Sequence, residues 1–246
     1  MRVEEYSAMF ELEDRLWWFE GMRAITASIL DGELSGGAGL RFLDVGCGTG
    51  YSLSWLRDRY RPERAYGVDV SPHAAAFWKL RNVDTVSVAS ADALPFGPAE
   101  FDLLSCFDVI YQLDAARAAK AVTEINRVLK PGGLFFVREP AYEWMRGSHD
   151  VAVATRHRYT LSELTALLRS HGFEIKRASY ANTFLFGAAA AHRVLSRLRH
   201  SEESDVRPVA GWMNTVFARV LRFEARALRW FALPFGLSAI VLAKKV

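Results

Sequence analysis

Short apolar runs recur along the chain at residues 40–45, 65–70, 86–89, 101–107, 133–138, 174–180 and 237–243, each of strand length and bounded by turn-forming residues. Between the first five lie residues 51–60, 72–81 and 114–129, whose apolar positions follow helical spacing. Strand, crossover helix and strand in repeated succession is the rhythm of a parallel sheet with helices on both faces, so the pattern predicts an α/β, doubly wound fold. Residues 1–31 read as helical, and Ser35-Gly36-Gly37-Ala38-Gly39 sets them off as a cap. Thr160-Leu161-Ser162-Glu163 opens a helix through Leu168 that Ser170-His171-Gly172 closes, a hydroxyl cap at one end and glycine at the other. Residues 183–236 break the rhythm: an Ala-rich helical stretch (183–199), a charged break with Pro208, and a second helix over 212–231. The expected organisation is one domain over 1–246, with a helical cap (1–34), a cofactor-binding core (35–182), a helical lid (183–236) and a last strand (237–246).

Composition narrows the function without naming it. At 246 residues, 51% hydrophobic and 24% charged, the chain is an ordinary globular one. Thirty-one basic against 28 acidic residues give a net charge of +3, too little to imply a nucleic-acid binder and no bar to anionic substrates. Cys47 and Cys106 stand in apolar or Gly-rich runs without metal-ligand spacing, so neither a metal site nor a disulfide framework is expected, and a reducing cytoplasm fits. The N-terminal stretch lacks a basic segment followed by an apolar one, and no apolar run approaches the ~20 residues of a membrane span. Neither a signal peptide nor a transmembrane helix is expected.

The strongest constellation is Leu43-Asp44-Val45-Gly46-Cys47-Gly48-Thr49-Gly50, directly after a predicted strand and before a predicted helix. Glycines there allow a tight turn and close backbone approach to a ligand, and the helix offers free N–H groups. The spacing is Gly-x-Gly-x-Gly rather than that of dinucleotide sites, and Asp44 would repel a pyrophosphate but suit a cationic ligand, which points away from NAD. Nineteen positions beyond Gly50, Asp69 ends the second strand where adenosine-binding sheets place a carboxylate for the ribose hydroxyls. Asp92 follows the third strand at the same edge, placed to accept from an adenine amino group. The structural alternative for Asp44 and Asp69 is a helix cap.

Taken in order, LDVGCGTG (43–50), GVDVSP (67–72), ADALPF (91–96), FDLLSCFDVIYQL (101–113) and RVLKPGGLFFVREP (127–140) resemble the class I S-adenosylmethionine-dependent methyltransferases. The resemblance implies a Rossmann-like seven-stranded sheet of order 3-2-1-4-5-7-6 with strand seven antiparallel, S-adenosyl-L-methionine as cofactor and S-adenosyl-L-homocysteine as product. It implies that Asp44, Gly46, Cys47, Gly48 and Gly50 line the methionine part, Asp69 and Val70 the ribose side, and Asp92 with Ala93 the adenine. Phe107, Trp18 and Arg23 complete the expected contacts, Arg23 toward the methionine carboxylate; the alternatives are that Trp17 and Trp18 wedge the cap onto the sheet and that Arg23 lies on a solvated face. The likeness extends to the ends. Leu16-Trp17-Trp18-Phe19-Glu20-Gly21-Met22-Arg23 resembles the His-Trp-Trp-Phe-x-Gly-Arg-Arg opening of a bacterial subgroup, departing at Leu16 and Met22. Ser148-His149-Asp150, Arg156-His157-Arg158-Tyr159-Thr160 and Glu224 with Pro234-Phe235-Gly236 match later segments of that subgroup.

Methyl transfer from a sulfonium is an in-line displacement that needs a held acceptor and excluded water, positioning that supplies ~7–11 kcal/mol. An acceptor that loses a proton also needs a base, for which His149 and His157 are the candidates; otherwise they hydrogen-bond loop carbonyls. Many relatives carry an Asp-Val-x-Glu-His pattern after strand four; Tyr111 and Gln112 stand there instead, to orient the acceptor or to pack. The cysteines read as small buried residues rather than nucleophiles. Arg219, Arg222, Arg226 and Arg229 recur at helical spacing and read as a solvated face, with an anionic membrane or partner as the alternative. The expected partner is a small-molecule acceptor, such as a secondary metabolite, enclosed by cap and lid in a cytoplasmic monomer or homodimer. Nucleic acid is not expected, since no Asn/Asp-Pro-Pro-Tyr segment, Pro-Cys nucleophile or basic stripe across the catalytic edge is present. The remaining alternative is a cofactor-binding protein with a non-methylating or partner role.

Overall fold

The computed structural model describes residues 3–34, 39–147, 150–151, 153–199 and 210–246. Its strands are β1 (Arg41–Val45), β2 (Arg64–Asp69), β3 (Val86–Val88), β4 (Phe101–Phe107), β5 (Leu129–Pro140), β6 (Phe173–Ala181) and β7 (Ser238–Lys245), joined in one sheet of order β3-β2-β1-β4-β5-β7-β6. Pairing is parallel from β3 through β5, and β7 runs antiparallel between β5 and β6, as expected from the sequence. The β1, β4 and β7 apolar runs are buried throughout most of their length because helices cover both faces. One core face is built on Leu43, Val45, Leu104, Phe135 and Val241, the other on Phe42, Leu53, Leu103, Phe136 and Leu242.

The helices are α1 (Val3–Leu12), α2 (Trp17–Leu30), α3 (Tyr51–Tyr60), α4 (Ala75–Leu80), α5 (Ala115–Val128), α6 (Leu161–Arg169), α7 (Phe186–Arg199) and α8 (Gly211–Leu228). Asp114 caps α5 by accepting from the Arg117 N–H, and α6 opens on a full capping box between Thr160 and Glu163. The stretch read as a single helix over 1–31 is two. Leu16 adopts an extended conformation, and the break turns Glu13 and Asp14 onto the Arg81 guanidinium at 3.1 and 2.9 Å. The 72–81 helix likewise begins as a 3-10 turn (Pro72–Ala74).

Helix α8, inserted between β6 and β7, packs along α2 rather than standing apart. Trp17 donates its backbone N–H to Asn214 and sets its ring edge-on to Phe217 at 5.2 Å. Trp17 therefore joins the cap to α8. Gly21 lies at the crossing, where an added Cβ would collide with the Leu221 side chain. Gly21→Val should cost about 1–3 kcal/mol through overpacking, lowering the melting temperature by roughly 2–4 °C per kcal/mol in a chain of this size. An unchanged thermal transition would show that the crossing is not tightly packed.

Candidate active site

The carboxyl ends of β1 and β2 carry the glycine loop. The Gly46 and Cys47 N–H groups both donate to the Val68 carbonyl, at 2.7 and 2.9 Å, which folds the turn between the two strands. Gly46 and Gly48 have φ of +75° and +54°, in the left-handed region that disfavours a side chain. Beyond that shared conformation their surroundings differ: a Cβ on Gly46 would strike Val109, whereas one on Gly48 would meet open space.

Two carboxylates flank this turn. Asp44 is buried; its Oδ1 accepts from the Ser105 hydroxyl at 2.5 Å, while its Oδ2 is buried with no partner. Burial pushes Asp44 up to about 7, against the opposing pull of the Ser105 bond and the Arg138 charge. Asp69 is a junction: Oδ1 accepts from the Ser71 N–H at 2.9 Å and the Tyr6 hydroxyl at 3.1 Å, and Oδ2 accepts from the Gly48 N–H at 2.9 Å. The ribose candidate thus already holds the glycine loop, the start of the next turn and the cap.

The cap meets the loop at several further points. Thr49 donates its hydroxyl to the buried Glu13 at 2.5 Å, and burial raises the Glu13 pKa. Arg23 stacks over the Tyr51 ring at 4.9 Å, directly after the loop. Trp18 lies beneath the Arg138 guanidinium at 5.0 Å; Arg138 also covers Phe107 at 4.9 Å and pairs with Asp108 through its Nε at 3.0 Å. Trp18 and Phe107 are thereby brought together at the end of β4. On the other side of the loop, Val70 is exposed, the Ala93 N–H donates to Ser90, and Asp92 is clamped by Arg117 at 2.8 Å and by Ser90. The Arg117 bond is the chief cause of an Asp92 pKa lowered to about 2.

A second group surrounds the turn after β4. The fully buried Glu139 accepts from the Ile110 and Tyr111 N–H groups at 2.9 and 3.1 Å, and the Tyr111 carbonyl accepts from the Arg156 and His157 N–H groups. Tyr111 and His157 therefore share one site. The Tyr111 phenol is buried, which raises its pKa, so it stays protonated at neutral pH. Gln112 donates to the Asp108 carbonyl at 3.3 Å. The His157 ring is half-exposed, edge-on to Tyr159 at 4.7 Å, with its Nε2 3.6 Å from Glu163. His149 lies outside the described residues. Cys47 and Cys106 are buried free thiols, and burial raises both.

Asp150 and Glu224 are structural clamps. Asp150 and Arg158 pair at 2.7 Å where both are buried or nearly so. Glu224, fully buried on α8, accepts from the Asn182 and Phe184 N–H groups at 2.5 and 3.0 Å and pins the exit of β6. Tyr6, Glu13, Asp108, Arg138 and Glu139 are not singled out by the sequence. A charged residue closing a buried apolar strand, as Arg138 and Glu139 do, is the signal that would have found two of them.

A family model described as "Methyltransferase domain" matches residues 43–137, the span holding both carboxylates and the glycine loop. Over those residues the chain is similar to methyltransferase domains. A protein of Mycolicibacterium smegmatis named "Probable S-adenosylmethionine-dependent methyltransferase" is 34% identical over 143 residues, 56% of this chain and 54% of that one. The fatty-acid O-methyltransferase of the same organism is 33% identical over 120 residues, 46% of this chain and 43% of that one. The chain thus spans about half the length of curated relatives it matches. Among solved structures, an S-adenosylmethionine-dependent methyltransferase from Mesorhizobium loti superposes with a TM-score of 0.59 at 18% identity, over 90% of this chain and 98% of that one, and shares the fold.

The residues around the glycine loop fit S-adenosylmethionine. The unpartnered Asp44 oxygen is a buried acceptor suited to a cation, and the open space at Gly48 admits a ligand against the backbone. Asp44 also makes a testable demand on stability. Folded Asp44 binds a proton below about pH 7, whereas an unfolded aspartate does so only near about 3.9, so its contribution to stability falls as pH rises through that interval. Asp44→Asn should therefore raise the melting temperature relative to the parent at pH 8 and change it little near pH 5. The same difference at both pH values would contradict a protonated, buried Asp44.

Proposed function

We propose that this protein transfers a methyl group from S-adenosylmethionine to a small, flat or apolar acceptor held between its cap and the helices inserted after β6. The observation that carries the reading is the buried, unpartnered Asp44 oxygen beside the open glycine turn. An unsatisfied buried acceptor costs about 1–3 kcal/mol, a cost that a bound cation offsets. When bound, the cofactor supplies an electrophilic methyl group on a sulfonium.

The chain's residues do the rest. Asp44 accepts from the cationic methionine portion, Asp69 from the ribose hydroxyls, and Asp92, kept ionised by Arg117, faces the adenine side. Gly46, Cys47, Gly48 and Gly50 provide the close backbone, with Val70, Ala93, Phe107, Trp18 and Arg23 bordering it. Tyr6 occupies one Asp69 oxygen, so the ribose competes with its hydroxyl. Trp18, Glu13 and Tyr6 close the cap over the loop and exclude water, which strengthens each electrostatic contact beneath it. His157, paired with Glu163, serves as the base for an acceptor that loses a proton, with His149 as its alternate and the Tyr111 hydroxyl as an orienting group. The acceptor wall is aromatic: Tyr142 stacks on Tyr180 at 5.1 Å, and Phe186 meets Tyr142, Trp144 and Phe235 at 5.5–5.8 Å. A flat or apolar acceptor agrees with the M. smegmatis relative being named for fatty acids.

Transfer of a labelled methyl group to a panel of aromatic and long-chain acids, phenols and amines tests the reading. His157→Ala should lower turnover about 10²–10⁴-fold with cofactor affinity intact; undiminished turnover excludes His157 as the base. Asp69→Ala should weaken cofactor binding at least tenfold, because a charge-assisted hydrogen bond is worth about 1.5–3 kcal/mol. Tyr6→Phe should tighten it several-fold by freeing the same oxygen. No labelled product from any acceptor, by protein that binds the cofactor, would favour a non-methylating role.

A further inference from the structure

Helix α8 buries Ala218, Leu221, Glu224, Ala225 and Leu228, and its other side faces outward. That outer side carries aromatic rings among its exposed arginines. At 100° per residue, Trp212, Val216, Arg219, Phe223 and Arg226 fall within an arc of about 80° and run for about 21 Å along the helix. Trp212 is 71% exposed and Phe223 60%; just beyond the helix, Trp230 is 81% and Phe231 68% exposed. Large aromatic side chains at such exposure are costly unless something covers them. Phe184, Leu185 and Val220 join Val216 and Phe223 around a shallow apolar groove on this side, with Arg219 at its rim.

Among the described residues, the charge along this outer face of α8 has one sign. Glu224 is the sole acid between residues 210 and 246, and it is fully buried. Arg222 pairs with Glu20 on α2, whereas Arg219 and Arg226 pair with no acid among the described residues. Arginines interleaved with tryptophan and phenylalanine on a convex helix match the boundary of an anionic bilayer, where aromatic rings sit at headgroup level and guanidinium groups meet phosphates. No helix among the described residues is long and apolar enough to cross a membrane.

We propose that the outer face of α8, with Trp230 and Phe231, docks the protein peripherally on an anionic phospholipid bilayer. Docking needs no cofactor and no turnover, so its test is independent of the methyltransferase reading. The full chain would be sedimented with vesicles of phosphatidylglycerol and phosphatidylcholine, and with phosphatidylcholine vesicles alone, at low and physiological salt. Binding to the anionic vesicles only, weakened by salt, is expected. Arg219→Glu with Arg226→Glu, and separately Trp212→Gln with Trp230→Gln, should each reduce it at least tenfold, since one surface arginine is worth about fivefold, with unchanged melting temperatures. No vesicle binding by the parent protein, or binding that the folded variants retain, would overturn the proposal. So would a concentration-dependent dimer lost in both variants without any vesicle binding, which would assign the face to a second copy of the chain.

Discussion

A carboxylate buried at the head of the glycine loop with only part of its hydrogen bonding met is the constraint around which this structure is arranged. Asp44 stands next to the end of β1 among parallel strands, where it is buried, and Ser105 on the neighbouring strand satisfies only one oxygen. Such a group is an expense to folding and an advantage to a cation-binding site. The glycine turn that follows keeps side chains off the adjoining space, and Asp69 ties that turn to the neighbouring strand and to Tyr6 of the cap. Site and sheet are thus one construction.

The cap and the inserted helices are linked to the same point. Glu13 and Tyr6 rest on the glycine loop, Trp17 and Gly21 join α2 to α8, and Glu224 on α8 fixes the exit of β6. These contacts hold the cap, α8 and the glycine loop in one packed unit.

Much of this was legible in the sequence. The strands announced themselves as apolar runs because a doubly covered sheet buries both faces of each strand, and the glycine loop stood out because its backbone conformation and ligand approach admit few other residues. What the sequence left obscure depends on partners far apart along the chain. The break before Leu16 is tied to Arg81, some 65 positions on; the Asp108–Arg138 pair and the Asp69–Tyr6 bond span 30 and 63 positions. Helical periodicity showed that residues 212–231 were amphipathic, but not which side α2 covers. Once α2 takes Leu221 and Phe217, the exposed side is left with both arginines and aromatic rings.

Calorimetric titration of the purified protein with S-adenosylmethionine, with NAD as control, repeated between pH 6 and 8 in buffers of different ionisation enthalpy, is the most direct test of the site. Saturable binding of S-adenosylmethionine alone is predicted, with protons released on binding below about pH 7, because a cation beside Asp44 draws it into the ionised form. Binding without proton release would contradict the role given to Asp44. Failure of folded protein to bind S-adenosylmethionine, or preference for NAD, would contradict the account of the site as a whole.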